Sequence, residues 1–362
     1  GDLGLEARQG RPTLGELVEV LAGRAPWPDP PPPPPPELIP ELPDLADVAG
    51  QPVARRALEL AAAGAHHVLM VGPPGAGKTM LARRFPSLLG ELEPEGALEA
   101  TRVHSAEGIA LPGGGLVRRP PFRAPHHGLS AVALVGGGSA SINPGELSIA
   151  HGGVLFMDEL AEFAVGVLES LRQPLEEGVI RVARAAHRAT MPARVLLVAA
   201  MNPCPCGHGD EPGACRCGPA ALARYARRLS GPLLDRFDLR IRVTRPEPDL
   251  LLDRRRGESS AAVAERVQVA RASAARRGGR ANAHLRGAAL DELAPLAPDA
   301  TEVLRRAVAA GQLSGRGVER VRVVALTIAD LAGLEPPLQA SQVREALALR
   351  APVATIASRL AG

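Results

Sequence analysis

The sequence predicts an α/β domain built on a mostly parallel sheet and followed by a small all-α region. Three observations carry that prediction. From about Asp44 to Val243, short apolar β-type runs alternate with helical segments and Gly-rich turns, as in a sheet whose strands are joined by crossover helices. After the break at Pro246 and Pro248 the apolar spacing turns helical, near 260–276, 298–310, 315–332 and 340–350, which predicts a separate small bundle. The 362 residues are 46% hydrophobic and 22% charged, enough to bury a core in two domains and unlike a disordered chain or a coiled coil. No internal repeat is visible.

Residues 13–22, Thr-Leu-Gly-Glu-Leu-Val-Glu-Val-Leu-Ala, join a capping residue to helical apolar spacing and predict a short helix, too small to fold alone. Pro28 and the run Pro30 to Pro36 lack backbone donors and have a fixed φ, so this stretch reads as a polyproline spacer. The expected organisation is therefore a remnant of an N-terminal domain at 1–27, a proline-rich linker at 28–43, the α/β core at 44–247 and the helical domain at 248–362. No apolar stretch reaches the roughly 18 residues of a membrane span and no charged-then-apolar leader opens the chain. A cytoplasmic protein without a membrane partner is expected.

The first strand, His67-Val-Leu-Met-Val71, runs into Gly72-Pro73-Pro74-Gly75-Ala76-Gly77-Lys78-Thr79 and then the helical Met80-Leu-Ala-Arg-Arg. This is G-x-x-x-x-G-K-[ST] in a strand–loop–helix setting. Its glycines let successive backbone N–H groups curl around phosphates, and the helix N-terminus adds its dipole. Lys78 is placed on the β- and γ-phosphates of ATP and the Thr79 hydroxyl on Mg²⁺. A second strand, Val154-Leu-Phe-Met, delivers Asp158-Glu159 to the sheet edge where open α/β sheets bind ligands. Asp158 is expected to hold Mg²⁺ through water and Glu159 to act as general base on the attacking water. A third strand, Val195-Leu-Leu-Val-Ala-Ala, ends at Met201-Asn202-Pro203, where the Asn202 amide is placed to orient that water.

The 42 cationic side chains include a single lysine, Lys78. Chance placement would put it at that position about one time in 42, so its location supports the phosphate site, where a compact ammonium fits and a broad guanidinium does not. The net charge of +3 neither demands nor excludes nucleic acid. Locally, no carboxylate occurs from Gly178 to Gly209, while Arg181, Arg184, Arg188 and Arg194 do. Residues 179–184 and 187–192 are expected to pair as a hairpin turning at Ala185-Ala186, with Arg181, Arg184 and Arg188 as candidate contacts to a phosphate backbone. Cys204, Cys206, Cys215 and Cys217 offer the four thiolates of a closed structural Zn²⁺ site, with His208 as a substitute ligand; reduced free cysteines are the alternative.

With these motifs in place the chain resembles an AAA+ ATPase, more narrowly the magnesium-chelatase-like ComM (YifB) family. The resemblance spans roughly Leu45 to Arg350. It rests on residues 72–84, Phe-Arg-Ala-Pro-His-His (122–127), Gly-Val-Leu-Phe-Met-Asp-Glu-Leu (153–160), Leu-Arg-Gln-Pro-Leu-Glu (171–176), Asn-Pro-Cys-Pro-Cys-Gly (202–207) and Ser-Gly-Pro-Leu-Leu-Asp-Arg-Phe-Asp-Leu (230–239). It implies an AAA+ P-loop sheet with helices on both faces and a helical lid, an ATP- and Mg²⁺-dependent motor assembled as a homo-oligomeric ring, a hexamer, and an N-terminal Lon-like domain of which residues 13–22 resemble the last helix. It also implies that Arg236 is an arginine finger for a neighbouring subunit, that Arg316, or Arg320 one turn on, is a nucleotide-sensing lid arginine, and that the 179–192 hairpin points into the ring pore. Two positions depart from the family: Gly152 stands where Asn is common and Leu326 where Arg is common.

The resemblance, together with the basic hairpin, implies a DNA translocase or branch-migration helicase acting on single-stranded or branched DNA in uptake and recombination. The alternative is a protein-remodelling ATPase acting on a partner enzyme, as in magnesium chelatase. The scarcity of aromatic residues, 2% of the chain, argues against base-stacking contacts. A nucleotide-switched binding module is disfavoured by Glu159 and Arg236.

Overall fold

Five short strands pair entirely in parallel, in the order β2–β3–β6–β1–β7. They are β1 (Val68–Val71), β2 (Phe122–Arg123), β3 (Val154–Met157), β6 (Leu196–Met201) and β7 (Leu239–Arg242). A separate antiparallel pair, β4 (Val179–Ala183) and β5 (Arg188–Pro192), is inserted between β3 and β6. The computed structural model describes residues 19–25, 42–112, 115–138, 142–183, 188–209, 213–229, 231–252 and 257–350. The polyproline run, most of the predicted 13–22 helix, Arg184 and the hairpin turn lie outside them.

Strands β1, β3 and β6 are buried along their whole length, the condition in which a strand reads as an unbroken apolar run rather than an alternation. Successive side chains still divide between two faces. Val68, Met70, Val154, Phe156, Val198 and Ala200 enter one core, and Leu69, Val71, Leu155, Met157, Leu197 and Ala199 the other. The first core is roofed by α1 (Pro52–Gly64) and α2 (Lys78–Arg84). The second contains Leu147, Phe163, Leu168, Leu233 and Phe237 together with Ile180 and Met191 of the inserted hairpin. Further helices of this part are α3 (Pro94–Glu107) and α4 (Pro219–Arg228).

The C-terminal part is all helical as predicted, with α5 (Ser260–Gly278), α6 (Pro298–Ala309), α7 (Gly315–Leu331) and α8 (Ala340–Ala348). It is not cored separately, however. Val263 and Val267 of α5, Val324 and Leu326 of α7 and Val343 of α8 join Leu58 of α1 and Leu81 of α2 in one continuous apolar cluster. The physical reason lies in α1 and α7, each buried over most of its length and therefore hydrophobic on more than one face. A helix of that kind packs from both sides, so the helical region and the sheet are welded through α1. Leu326 is fully buried in this weld, where an arginine would carry an unpaired charge into the core. Gly152, the other departure, has φ +75°, a left-handed conformation that glycine and asparagine tolerate best.

Candidate nucleotide site

Because β3, β6 and β1 are adjacent and parallel, their carboxyl ends open at one edge: Val71 is level with Met201, and Met157 with Ala199. The residues that follow, Gly72, Asn202 and Asp158, are therefore neighbours by register. Gly72 is dictated by space, since a Cβ there would stand 1.9 Å from the Val243 carbonyl. Gly77, the residue before α2, has φ +88°, a left-handed conformation that glycine adopts at least cost.

Lys78 folds back under the loop, donating to the carbonyls of Gly72 (2.7 Å) and Pro73 (2.9 Å) and to Asn202 Oδ1 (3.3 Å). Only 9% of it is exposed. Burial lowers its ammonium below the ordinary lysine value, with the charges of Asp158 and Glu159 partly offsetting this. A buried cation held by neutral acceptors is a seat for an anion, so the loop fits a phosphate chain. Thr79 Oγ1 donates to Asp158 Oδ2 at 2.6 Å. A hydroxyl and a carboxylate facing each other are hard oxygen donors of the kind Mg²⁺ takes. Gln51, not singled out from the sequence, braces the same loop by donating from Nε2 to the carbonyls of Ala76 (3.2 Å) and Thr244 (2.5 Å).

Glu159 has φ 52° and ψ 45°, a left-handed conformation that costs a non-glycine residue of order 1 kcal/mol or more. Its amide donates to Asp158 Oδ1 at 2.9 Å, which ties the two carboxylates' backbones together. Its carboxylate is 54% exposed and lies 3.0 Å from His127 Nδ1, whose ring meets Phe163 edge-on. Nothing in the local sequence marks His127 as a partner of Glu159. The signal lay in register: Arg123 of β2 is level with Leu155 of β3, and four residues on from each stand His127 and Glu159.

Arg236 and Arg316 are not brought to this edge. Leu239, three residues after Arg236, is level with Val68 at the amino end of β1, about 13 Å of strand from the phosphate loop. Arg236 is 7% exposed and pairs with Glu176, and its Nε has no hydrogen-bond partner among the described residues. Burial lowers its guanidinium, Glu176 opposes the shift, and the positive charges of Arg316, Arg320 and Arg172 add to it. The exposed Arg316 therefore lies in the field of Arg236, not of Lys78. Arg320 is committed to an ion pair with the buried Asp238 at 3.0 Å.

In the inserted hairpin, Arg181 faces Thr190 and Ala183 faces Arg188. Both arginines are exposed, although Arg181 is bridged to Glu177. The sulfur atoms of Cys204, Cys206, Cys215 and Cys217 all lie within 4.8 Å of one another. His208 is not among that group of possible metal ligands. Among the described residues no helix is long and apolar enough to cross a membrane.

A five-stranded parallel sheet with a phosphate loop at the end of the interior strand β1, a polar amide at the end of its neighbour β6 and an acidic pair at the end of β3 beyond it defines an AAA+ P-loop ATPase domain. More particularly, the chain belongs to the family of the magnesium chelatase ChlI subunit, whose model matches residues 44–251 and whose C-terminal model matches 257–350. It is similar to the competence protein ComM of Haemophilus influenzae, 46% identical over 86% of this chain and 60% of that protein. It also resembles YifB of Escherichia coli, 44% identical over 80% of this chain and 56% of that protein. A Mycobacterium tuberculosis protein is 50% identical over 81% of this chain and 59% of its own length. The chain thus spans under two thirds of the relatives it matches.

Proposed function

We propose that the chain is the motor part of a homo-oligomeric ring, a hexamer, that hydrolyses ATP to translocate on DNA or migrate its branches. The observation that supports the ATPase chemistry is the convergence of Lys78, Asp158, Glu159 and Asn202 at one sheet edge. In this reading the backbone N–H groups from Gly72 to Met80, with Pro73, Pro74, Gly75, Ala76 and Gly77 shaping the curl, and the Lys78 ammonium bind the phosphates. Thr79 and Asp158 hold Mg²⁺, which supplies the charge that neutralises the phosphate oxygens. Glu159 takes the proton from the attacking water, held in place by His127, and Asn202 orients that water. Arg236 and Arg316, gathered at the opposite edge, complete the site of a neighbouring subunit. The four cysteines hold structural zinc.

DNA as the track is supported by the exposed Arg181 and Arg188 on a hairpin with no carboxylate of its own, and by the name of the competence relative. Backbone-only contacts of this kind are sequence-blind and salt-sensitive. ATP turnover measured with and without single-stranded and branched DNA is expected to rise several-fold at low salt and to lose that rise as salt increases. Turnover that ignores DNA while the ring is assembled would overturn the DNA reading and favour a partner protein as the object of the motor. Mixing Arg236→Ala with Lys78→Ala subunits is expected to restore activity that neither has alone.

A further inference from the structure

The four cysteines lie in two short arms of one loop, and the loop is not remote from the phosphate site. It begins two residues after Asn202, whose side chain accepts from Lys78 and whose carbonyl accepts from Tyr225 Oη of α4 at 2.9 Å. Directly after the first cysteine pair, Gly207 has φ +83° and lies so close to the phosphate loop that a Cβ would stand 2.7 Å from Pro74 Cδ. The Gly207 amide donates to the Cys204 carbonyl at 3.0 Å, folding the chain back over the thiols. Cys204 is buried, Cys215 and Cys217 are half-buried, and Cys206 is exposed. The Sγ separations are 3.3 Å (Cys204–Cys206), 3.7 Å (Cys204–Cys215) and 3.8 Å (Cys206–Cys215). Four sulfurs about 2.3 Å from a tetrahedral Zn²⁺ stand roughly 3.8 Å apart, so the thiols are already near the edges of that tetrahedron.

Resting on the reading of Gly72–Met80 as the nucleotide loop, we infer that Cys204, Cys206, Cys215 and Cys217 bind one zinc ion that acts as a strut for the ATP site. Four thiols release four protons to solvent as they take up Zn²⁺, and all four coordination positions are then filled by protein, which makes the ion structural. The metal knots the arms into one rigid turn. That turn presses Gly207 against Pro74 and fixes the backbone leaving Asn202, so the loop is held open for phosphates only while the knot is tied. Zinc loss by chelation is thereby coupled to loss of nucleotide affinity.

The test measures zinc and nucleotide binding separately on the full chain. Protein purified without chelators is expected to carry one zinc per chain by elemental analysis. Stripping it under reducing conditions is expected to weaken binding of a fluorescent ATP analogue about tenfold or more, with recovery on adding Zn²⁺. Cys206→Ser, at the exposed ligand, is expected to lower both zinc content and nucleotide affinity. Gly207→Ala leaves all four thiols in place but wedges a methyl group against Pro74; it is expected to keep its zinc and still lose affinity. Zinc far below one equivalent with four titratable thiols overturns the metal site. Zinc at one equivalent with affinity unchanged on stripping and in Gly207→Ala overturns the strut. Zinc-loaded protein that binds no nucleotide at all overturns the nucleotide reading and leaves the metal site standing.

Discussion

The two edges of the parallel sheet are made of the same residue types and are built in opposite ways. At the carboxyl edge the charges are left for something else: among the described residues Lys78 donates to neutral acceptors, with the charges of Asp158 and Glu159 nearby, and Glu159 points half-exposed into solvent against His127. At the amino edge, the exposed Arg316 apart, the charges are spent on one another. His66 Nδ1 donates to Asp238 Oδ2 at 3.1 Å, and its Nε2 is 2.7 Å from Thr327 Oγ1. Asn282 bonds Thr327 and Asp330, and Arg277 forks onto both oxygens of Asp330. Burial alone would raise the Asp238 carboxyl, but Arg320, the His66 bond and the His66 and His67 rings outweigh it and hold it well below the usual carboxylate range. The difference teaches that a charged residue at a strand end is read by its partners: satisfied and buried it joins the weld, unsatisfied by countercharge it awaits a ligand.

The largest expected effect comes from breaking the open edge. Lys78→Arg and Glu159→Gln are each expected to lower ATP turnover at least about a hundred-fold with an unchanged melting temperature. Glu159→Gln should still bind ATP. Retained turnover in Lys78→Arg would mean that the lone lysine is a leftover of an arginine-rich composition and that the open edge needs only a cation.

The closed edge should answer in the other currency. Asp238→Ala leaves Arg320 and His66 facing a buried gap, and removing one partner of a buried pair costs about 3–5 kcal/mol. Thermal melting should fall by several degrees while turnover per folded molecule stays near normal. A variant that melts normally but has lost ATPase activity would show that the amino edge signals to the nucleotide site and does not only hold α7 to the sheet.

Much of the open edge was legible because its motifs are local. The phosphate loop needs consecutive residues, and each acidic or amide end follows an apolar run that can only be a buried strand. The closed edge was not legible, because His66, Asp238, Thr327 and Asp330 are separated by up to 261 residues in the pairs that matter. Nothing in their local sequence marks them. His127 failed for the same reason at shorter range: its partner follows from strand register, and β2 is two residues long, too short to announce itself. The continuous core was missed because periodicity shows that α7 is buried without showing what buries it. Arg316 was placed by resemblance alone, and its field at Arg236 appears only once α7 is docked.

The smallest effect tests whether the closed edge stays closed as protons are added. His67 lies beside His66, and its Nδ1 accepts the Leu197 amide at 3.1 Å. Desolvation, with help from the positive field of Arg320 and against that of Asp238, lowers its ring from the ordinary 6.5 to about 4. Between those values the unfolded chain binds a proton that the folded chain refuses, so stability rises with pH across that window. The contribution is therefore fully present above about pH 6.5 and is lost as pH falls toward 4, amounting to roughly 1–3 kcal/mol. The depressed Asp238 carboxyl adds a slope of the same sign only below the ordinary carboxylate range, which keeps the two windows apart. In urea unfolding at pH 7.5 and pH 5, the native chain is expected to lose more stability than His67→Gln, whose amide oxygen can still accept from Leu197. Equal losses would assign the proton uptake to another ring, with His151 and His284, both also lowered chiefly by desolvation, as the next to replace.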